Sequence, residues 1–287
     1  MSLFEHFHLP MTAGCSNTPI NIGFHSHLEY EIYYFHTGKC HYIIGDKIHY
    51  LRPGDLILMN GMTLHCPIAD PNSEYRRTVV HFDPQFVQGL LRPPFNLHLL
   101  RPFEELHNVC ISLGPEEQSR IEPILTRMCQ LFQQSDPLSH DRFLVQFLAL
   151  LTELYEISTR PLVNKTISPG IKEQNVQRLI SYLEQHYTED IDLEEISHYM
   201  HLNKYHLVKI FKEITGITIF AFLYQRRINQ AKVMLTLTPN KSITEIAYEV
   251  GFKYPSHFSR LFKAYTGSAP DTFRKKQSEW KDPFSGM

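Results

Sequence analysis

Four side chains in the N-terminal half have the types and the spacing of metal ligands. His25, His27 and Glu31 fall at odd positions of one short segment, and His65 follows downstream. Because alternate residues of a β-strand point to the same side, the first three would share one face. Three imidazoles and a carboxylate suit zinc, manganese, iron or nickel. The same groups could equally bind a small effector without a metal, or form only structural hydrogen bonds, and the sequence leaves these three alternatives open.

Three further residues near this set could contact a small molecule. Tyr33, Tyr42 and His81 carry aromatic or polar groups that can stack on, or hydrogen-bond to, a ligand the size of a sugar. Together with the four residues above they form the predicted effector-binding set. The simpler alternative is that they only fill the interior of the fold.

The elements that must position these side chains are short β-strands. Residues 20–85 contain apolar and aromatic runs separated by turn signals, a pattern typical of a small antiparallel barrel or jelly roll. Two amphipathic helices follow, Glu116–Phe132 and Asp141–Ile157, and their short polar connection predicts an antiparallel pair. The predicted strands are Glu31–Phe35, His41–Ile44, Lys47–Leu51, Leu56–Met59 and Thr78–Phe82.

The C-terminal third contains an internal repeat. When the sequence is aligned with itself at an offset of 50 residues, the first helix of one unit matches the first helix of the other. The second copy has one extra residue in its turn, so the second helices match at an offset of 51 residues. Such a duplication predicts two helix-turn-helix units, residues 193–214 and 241–264. The matched pairs are Leu193 with Ile243, Glu195 with Glu245, Ile196 with Ile246, Met200 with Val250, Leu202 with Phe252, Phe211 with Phe262, Lys212 with Lys263, Thr215 with Thr266 and Gly216 with Gly267.

Each copy leaves a polar helix tip free for DNA. Apolar residues define the buried face of its second helix, and the side chains near the start of that helix face outward, where such motifs enter a major groove. Lys212 and Lys263 are equivalent and predict phosphate contacts, whereas Asn203 fits an N-cap and Gly216 and Gly267 fit C-caps. The candidate DNA-binding residues are Asn203, Lys204, Tyr205, His206, Lys209, Lys212, Tyr254, Ser256, His257, Ser259, Arg260 and Lys263.

One long helix, Thr218–Thr236, is predicted between the two copies. At ~1.5 Å per residue it would span roughly 27–30 Å, close to the ~34 Å between successive major-groove entries on one face of DNA. A single chain could therefore place both recognition helices in adjacent major grooves of double-stranded DNA. A helical protein-binding module is the alternative, but it needs neither the paired lysines nor an excess of basic charge.

The charge distribution favours a nucleic-acid partner for the C-terminal part. Residues 1–160 carry 11 basic and 17 acidic side chains, whereas residues 200–287 carry 14 basic and 6 acidic ones, as expected for a polyanion-binding module on an acidic domain. No apolar stretch approaches the ~20 residues of a membrane span, and no signal peptide pattern opens the chain. Five scattered cysteines fit a reducing compartment. We therefore expect a cytoplasmic protein with no membrane partner.

Composition also marks a domain boundary. The stretch Thr159–Gly170 has two prolines, a glycine and few apolar residues, which is typical of a linker. The sequence therefore predicts an α+β protein of two domains. The predicted parts are an effector-binding and dimerisation domain (residues 1–160), a linker (161–175), a DNA-binding domain (176–275) and a tail (276–287).

From about Val176 to Lys275 the chain resembles the DNA-binding domain of the AraC/XylS transcription regulators. Two positions depart from the usual pattern: Tyr254 replaces an acidic residue and His257 replaces a tyrosine, so the base preference of the second recognition helix is not predicted. The resemblance implies a sequence-specific regulator, an activator by family default, with room for a contact to RNA polymerase. The strongest matches are Ile243–Phe252, Ser256–Lys263, Gly267–Pro270 and Phe273–Arg274.

The N-terminal part resembles the cupin-like sensing domain that many of these regulators carry. The similarity lies in Phe24–Glu31, Gly38, Arg52–Asp55 and His65, and the histidine and glutamate set matches the cupin metal tetrad. It implies a barrel whose interior holds a small effector, often a sugar, and a homodimer formed through residues 116–157. It implies no required cofactor, and a divalent transition metal stays an alternative occupant of the barrel.

The same tetrad supports an alternative function, a metal-dependent cupin enzyme (an isomerase or dioxygenase) with a DNA-binding appendage. A DNA-repair methyltransferase joined to such a DNA-binding domain is excluded, because no cysteine follows a proline, as a reactive Pro-Cys motif requires. The expected protein is therefore a regulator and not an enzyme.

Overall fold

The computed structural model describes residues 10–18, 23–93, 95, 97–106, 108–160 and 170–280, with side chains up to residue 275. Residues 161–169 of the predicted linker and the side chains of the predicted tail lie outside this part. Within it, the N-terminal domain is rich in β-strands and the C-terminal domain is helical, so the predicted α+β class with two domains is confirmed. No helix among the described residues is long and apolar enough to cross a bilayer.

The described strands form two antiparallel sheets, the jelly-roll form of the predicted fold, and these sheets do not close into one continuous barrel. The strands are Met11–Ser16 (β1), Tyr30–Gly38 (β2), Cys40–Ile44 (β3), Lys47–Tyr50 (β4), Asp55–Asn60 (β5), His65–Ala69 (β6), Tyr75–Phe82 (β7) and Val109–Ser112 (β8). One sheet has the order β1-β7-β2-β5-β8 and the other the order β4-β3-β6. Their inner faces share one apolar cluster, so the domain is a cupin-like sandwich with its candidate site between the sheets.

All five predicted strands are present, and three more were not predicted. Strand β1 contains a glycine, β6 contains a proline and β8 has only four residues, and each of these features weakens a strand pattern. Strand β7 also begins before the predicted Thr78, at Tyr75.

Strand β2 divides its side chains between the core and the candidate site. Ile32 and Tyr34 point to the helices that cover the outer face of the five-stranded sheet, whereas Glu31 and Tyr33 point between the sheets. A shift of one residue in register would exchange these two sets. The N-terminal helices are Pro84–Leu90 (α1), Arg101–Glu105 (α2), Pro115–Phe132 (α3) and Pro137–Ser158 (α4).

Seven helices follow in the described C-terminal part. They are Ile171–His186 (α5), Leu193–Met200 (α6), Lys204–Thr215 (α7), Ile219–Leu237 (α8), Ile243–Glu249 (α9), Pro255–Thr266 (α10) and Pro270–Trp280 (α11). Helix α5 begins at Ile171, inside the predicted linker, because Gly170 is its N-cap and its buried face is already apolar from Val176 onward. The linker is therefore shorter than residues 161–175.

The two helix-turn-helix units form as the repeat predicts, α6 with α7 and α9 with α10. The Asn203 side chain accepts a hydrogen bond from the Tyr205 N–H at 2.9 Å, and Gly216 and Gly267 end the recognition helices at φ +76° and +79°. Gly251 has φ +92°, and a Cβ there would approach the Thr188 backbone to 2.8 Å. Glycine is therefore required in the second turn both by conformation and by space.

The helical domain packs on the outer face of the three-stranded sheet. Ile43 of β3 and Cys66 of β6 belong to the same buried cluster as the core of the first helix-turn-helix unit. His41 Nε2 donates to the Ile214 carbonyl at 2.8 Å. The three-stranded sheet and the first helix-turn-helix unit therefore share one apolar cluster.

Candidate functional site

The first recognition helix, α7, presents a polar face to solvent. Its opposite side is buried in the core of the unit. Lys204 forms an ion pair with Glu194 of α6, so part of its charge is neutralised, and the Asn203 side chain serves as the N-cap. The predicted DNA-contacting side chains that stay exposed on this helix are Tyr205, His206, Lys209 and Lys212.

The second recognition helix, α10, exposes a similar set with one difference. The ring of His257 lies edge-on to the rings of Tyr224 and Phe252, with centroids 5.3 and 5.7 Å apart. His257 and Ser259 are half-buried, so His257 helps to support the turn. The predicted residues that stay exposed here are Tyr254, Ser256, Arg260 and Lys263.

A buried arginine, to which the sequence assigned no role, connects α8 to the first unit. Arg227 is 6% exposed, and its Nε and Nη2 donate to the carbonyls of Tyr187 and Glu189, each at 2.6 Å. Asp190 in the same segment pairs with Lys253 of the second unit. Both units therefore contact residues 187–190, the first through the buried Arg227 and the second through an exposed ion pair.

We expect Lys263→Ala to weaken binding to every DNA sequence by a similar factor. The exposed amine lies in the last turn of α10, equivalent to Lys212 in α7, and a lysine bound to one phosphate contributes about one unit to the salt dependence of binding. Titrations at several salt concentrations, with operator and random duplexes, measure both effects. Lys47→Ala on β4 is the matched control. A loss restricted to one sequence would contradict the phosphate contact.

The predicted metal ligands meet between the sheets, together with His81. A short bridge pairs His25 with His65 through two backbone hydrogen bonds of 3.0 Å. Glu31 of β2 lies opposite His81 of β7 in the ladder. Glu31 Oε2 is 3.1 Å from Nε2 of both His27 and His81, and 3.6 Å from Nε2 of His65. We call these five residues the histidine cluster.

The Nδ1 atom of each histidine in the cluster forms a hydrogen bond with a group outside the cluster. Because a carbonyl oxygen only accepts, a ring nitrogen bonded to one must carry the proton. The neutral rings of His25 and His65 therefore present the Nε2 lone pair to the cluster, which is how metal-binding histidines are oriented. The Nδ1 contacts are His25 to the Gly23 carbonyl (3.0 Å), His27 to the Glu29 carbonyl (3.1 Å), His65 to the Thr63 carbonyl (2.7 Å) and His81 to Thr12 Oγ1 (3.2 Å).

This orientation leaves a buried acceptor at the centre of the cluster. The Nε2 of His65 has no hydrogen-bond partner and lies 3.6 Å from Glu31 Oε2. Burial lowers the pKa of His65 to about 3, so that ring stays neutral. Burial raises the pKa of Glu31, but hydrogen bonds from His27 and His81 outweigh it and hold that pKa well below its usual value. The ionised Glu31 carboxylate faces the neutral ring of His65, and a cation would satisfy both.

The donor set fits a divalent transition metal. Two overlapping groups in the described part of the chain have ligand atoms within 4.8 Å of one another: His25, His27 and His65, and His27, Glu31 and His81. Imidazole nitrogens with one carboxylate are ligands for zinc, manganese, iron or nickel. The structure brings the four predicted ligands together and adds His81, which the sequence predicted only as an effector contact.

Tyr33 and Tyr42 line the space beside the histidine cluster, each 1% exposed. The Tyr42 hydroxyl donates to Glu31 Oε1 at 3.4 Å, and the Tyr33 hydroxyl lies 2.7 Å from that of Tyr75. Arg77 of β7 is also buried, and its Nη1 has no hydrogen-bond partner. The sequence missed Tyr75 and Arg77 because its predicted strand started after them.

Two family models match the chain. A model described as "AraC-like ligand binding domain" matches residues 11–154, and one described as "Helix-turn-helix domain" matches residues 196–276. Together they cover both domains of the structure.

The similar curated proteins are regulators. An uncharacterized HTH-type transcriptional regulator of Staphylococcus aureus (strain COL) is 36% identical over 104 residues, which is 36% of this chain and 14% of that protein. The bifunctional transcriptional activator/DNA repair enzyme AdaA of Bacillus subtilis is 35% identical over 111 residues, 39% of this chain and 52% of AdaA. The chain thus spans between a seventh and about half of the length of these relatives.

Solved structures of related regulators align with the chain at low TM-scores. The C-terminal domain of AraT, a response regulator from Geobacillus stearothermophilus, is 27% identical, with a TM-score of 0.36, and covers 37% of this chain and 88% of that one. Apo ToxT K231A from Vibrio cholerae is 14% identical, with a TM-score of 0.40, and covers 93% of this chain and 97% of that one.

Proposed function

The chain belongs to the AraC family of transcription regulators, and from this membership we propose that it recognises one operator with both helix-turn-helix units and changes its DNA binding when an effector occupies the N-terminal domain. The observation that carries the proposal is the exposure of equivalent basic side chains on the two recognition helices, Lys209 and Lys212 on α7 and Arg260 and Lys263 on α10. Helix α8 between them has 19 residues and is about 28 Å long, comparable with the ~34 Å between successive major-groove entries.

Selection of duplexes from a random library by the full-length chain tests this proposal. We expect the enriched operator to contain two elements about one helical turn apart, one for each recognition helix. Binding should weaken steeply with salt, because lysine and arginine contacts release counterions from DNA. Bound DNA without any enriched sequence, or with a single element, would contradict recognition by both units.

We further propose that the bound regulator activates transcription in the cytoplasm through a contact with RNA polymerase. Activation is the usual mode of the family. A reporter placed behind the selected operator should lose expression when the regulator is deleted. Higher reporter expression in the deletion strain would show a repressor instead.

The proposed effector site is the space between the two sheets. Tyr33 and Tyr42 offer aromatic faces and hydroxyl groups, and the histidine cluster offers charge and hydrogen bonds beside them. A sugar or a related metabolite would suit these groups. Screening the thermal stability of the full chain against a panel of sugars and metabolites tests this, because a ligand that binds only the folded state raises the melting temperature.

The convergence of Nε2 atoms on Glu31 favours a second kind of effector, a divalent transition metal. The histidine cluster would hold it, and its positive charge would offset the buried carboxylate. A metal-dependent cupin enzyme would use the same cluster and is the alternative function. We favour regulation, because the family models cover both domains and the similar curated proteins are named transcription regulators.

We propose a homodimer through the outer face of α3 and α4. Their inner faces build the core of the N-terminal domain, so deleting the helices would unfold it. The outer groove exposes Leu138 and Val145, at 56% and 62%, and these can be changed alone. The double variant Leu138→Asp/Val145→Glu should convert a dimer to a monomer in sedimentation velocity, because two charges would be buried at the contact.

Leu237→Asp, at the exposed end of α8, is the matched control for that experiment and should leave the dimer intact. An unchanged dimer in the double variant, or a parent chain that is already a monomer, would refute this contact.

A further inference from the structure

Residues 24–27 and 61–65 pair into a two-stranded segment, which we call the ribbon. His25 and His65 exchange two backbone hydrogen bonds of 3.0 Å, and the His27 N–H donates to the Gly61 carbonyl at 2.8 Å. The ribbon lies between the histidine cluster and the helical domain, so each of its residues can face one or the other.

The ribbon alternates between these two sides. His25, His27 and His65 point to the histidine cluster. Phe24 and Leu64, which adjoin them in the chain, are 7% and 4% exposed and belong to the core of the helical domain. Because successive side chains of an extended segment point to opposite faces, a movement of the histidines must move the opposite face as well.

The outer face of the ribbon is bound to helix α8 at three points. Lys232 Nζ donates to the carbonyl and hydroxyl oxygens of Ser26, at 2.6 and 2.7 Å. Asn229 Nδ2 donates to the Met62 carbonyl at 2.8 Å. The ring of Phe24 lies edge-on to that of Phe222, with centroids 5.1 Å apart.

These contacts are partly shielded from solvent. Asn229 is 6% exposed, and burial lowers the pKa of Lys232 to about 8. Hydrogen bonds made by a desolvated ammonium are stronger than those between neutral groups, so α8 is firmly attached to the ribbon. Helix α8 also carries Arg227, which donates to the carbonyls of Tyr187 and Glu189, and Asp190 of the same segment pairs with Lys253 of the second unit.

Space next to the ribbon allows it to shift. A cavity of about 280 Å³ separates it from the second DNA-binding unit, with Ser26 and Leu64 on one side and Tyr265 and Phe273 on the other. A displacement of the ribbon toward this cavity would move Ser26, which lines the cavity and binds Lys232 of α8.

We propose that the ribbon couples the histidine cluster to DNA binding, so that a divalent cation held by His25, His27 and His65 on its inner face repositions α8 on its outer face and thereby the two recognition helices. The inference rests on the proposed function in taking the histidine cluster as an effector site. Such coupling is reciprocal: if the cation changes the DNA affinity by some factor, DNA changes the cation affinity by the same factor.

The first experiment measures Co²⁺ affinity of the full chain by visible absorption, with and without saturating selected operator. We expect the two dissociation constants to differ by at least about 5-fold, the lower end of typical coupling. In the double variant Lys232→Met/Asn229→Leu the ratio should fall toward one. The matched control Lys47→Met removes an exposed lysine of β4 and should keep the parent ratio.

Two outcomes of this experiment would overturn the inference and leave the proposed regulator intact. One is a ratio of one in the parent chain although both Co²⁺ and operator bind. The other is a parent-like ratio in the double variant, since coupling would then bypass the ribbon.

A second experiment needs no metal. Operator affinity is measured for Glu31→Gln, for Lys232→Met and for the combined variant, with thermal unfolding as the check on folding. We expect the combined effect to differ from the product of the single effects by more than 2-fold, because one element transmits both changes. If the two single effects simply multiply, the proposed coupling through the ribbon is wrong, even where Co²⁺ does not bind. If neither the parent chain nor any variant prefers the operator to random DNA, the proposed function is wrong instead.

Discussion

Replacing both Lys209 and Arg260 by alanine is expected to remove most of the preference for the operator over random DNA. Each side chain is exposed on the outer face of a different recognition helix, and a lost contact to a base edge costs roughly 1–3 kcal/mol. The two sites lie on separate units, so their effects should add. Each single variant should therefore lose about 5- to 150-fold in operator affinity, and the double variant the product of the two.

Fluorescence anisotropy with operator and random duplexes at fixed salt measures this loss. Lys47→Ala, outside the helical domain, controls for the removal of one positive charge. If either variant weakens operator and random DNA equally, its side chain contacts phosphate and does not read bases. If only one single variant loses specificity, one helix alone recognises the operator.

His27→Ala is expected to lower the affinity for Co²⁺ or Zn²⁺ by more than ~100-fold. His27 is the one residue common to both groups of ligand atoms in the described structure, and mutation of the groups that merely orient metal ligands already costs about 10- to 100-fold. Thr12→Val, which removes the partner of His81 Nδ1, should cause that smaller loss. Equilibrium dialysis with metal analysis gives both affinities.

His98→Ala, an exposed histidine that pairs with Glu104 outside the cluster, is the control and should bind metal like the parent. Substoichiometric metal in the parent chain after loading and dialysis would remove the metal hypothesis. An organic effector between the sheets would then be the remaining occupant, and the thermal-stability screen would identify it.

The DNA-binding domain could be predicted almost completely from the sequence. Its signals are local: helix periodicity, the Asn203 cap, the glycines at positive φ and the 50-residue repeat all act over a few neighbouring residues or compare two such stretches. The side chains exposed on α7 and α10 followed from the same periodicity. The packing of His257 against Tyr224 could not be predicted, because it depends on how α8 crosses the second unit.

The candidate effector site was predicted in part. The spacing of His25, His27 and Glu31 placed them on one face, and the family resemblance added His65. The role of His81 depends on the ladder between β2 and β7, whose partners are about 50 residues apart, and no local pattern specifies that register. The strand orders of the two sheets could not be predicted for the same reason, since strand patterns identify strands but not which edges pair.

By itself the sequence determined the elements, the repeated DNA-binding unit and most of the chemically active residues, since periodicity, caps and turns depend on residues close together in the chain. Only the tertiary structure decided that His81 completes the histidine cluster and that the Nδ1 atom of each of its histidines is hydrogen-bonded to a group outside the cluster. It also decided that the ribbon joins the cluster to α8. These features arise where segments distant in the chain meet. Burial makes an unpaired lone pair or ammonium group there costly in free energy.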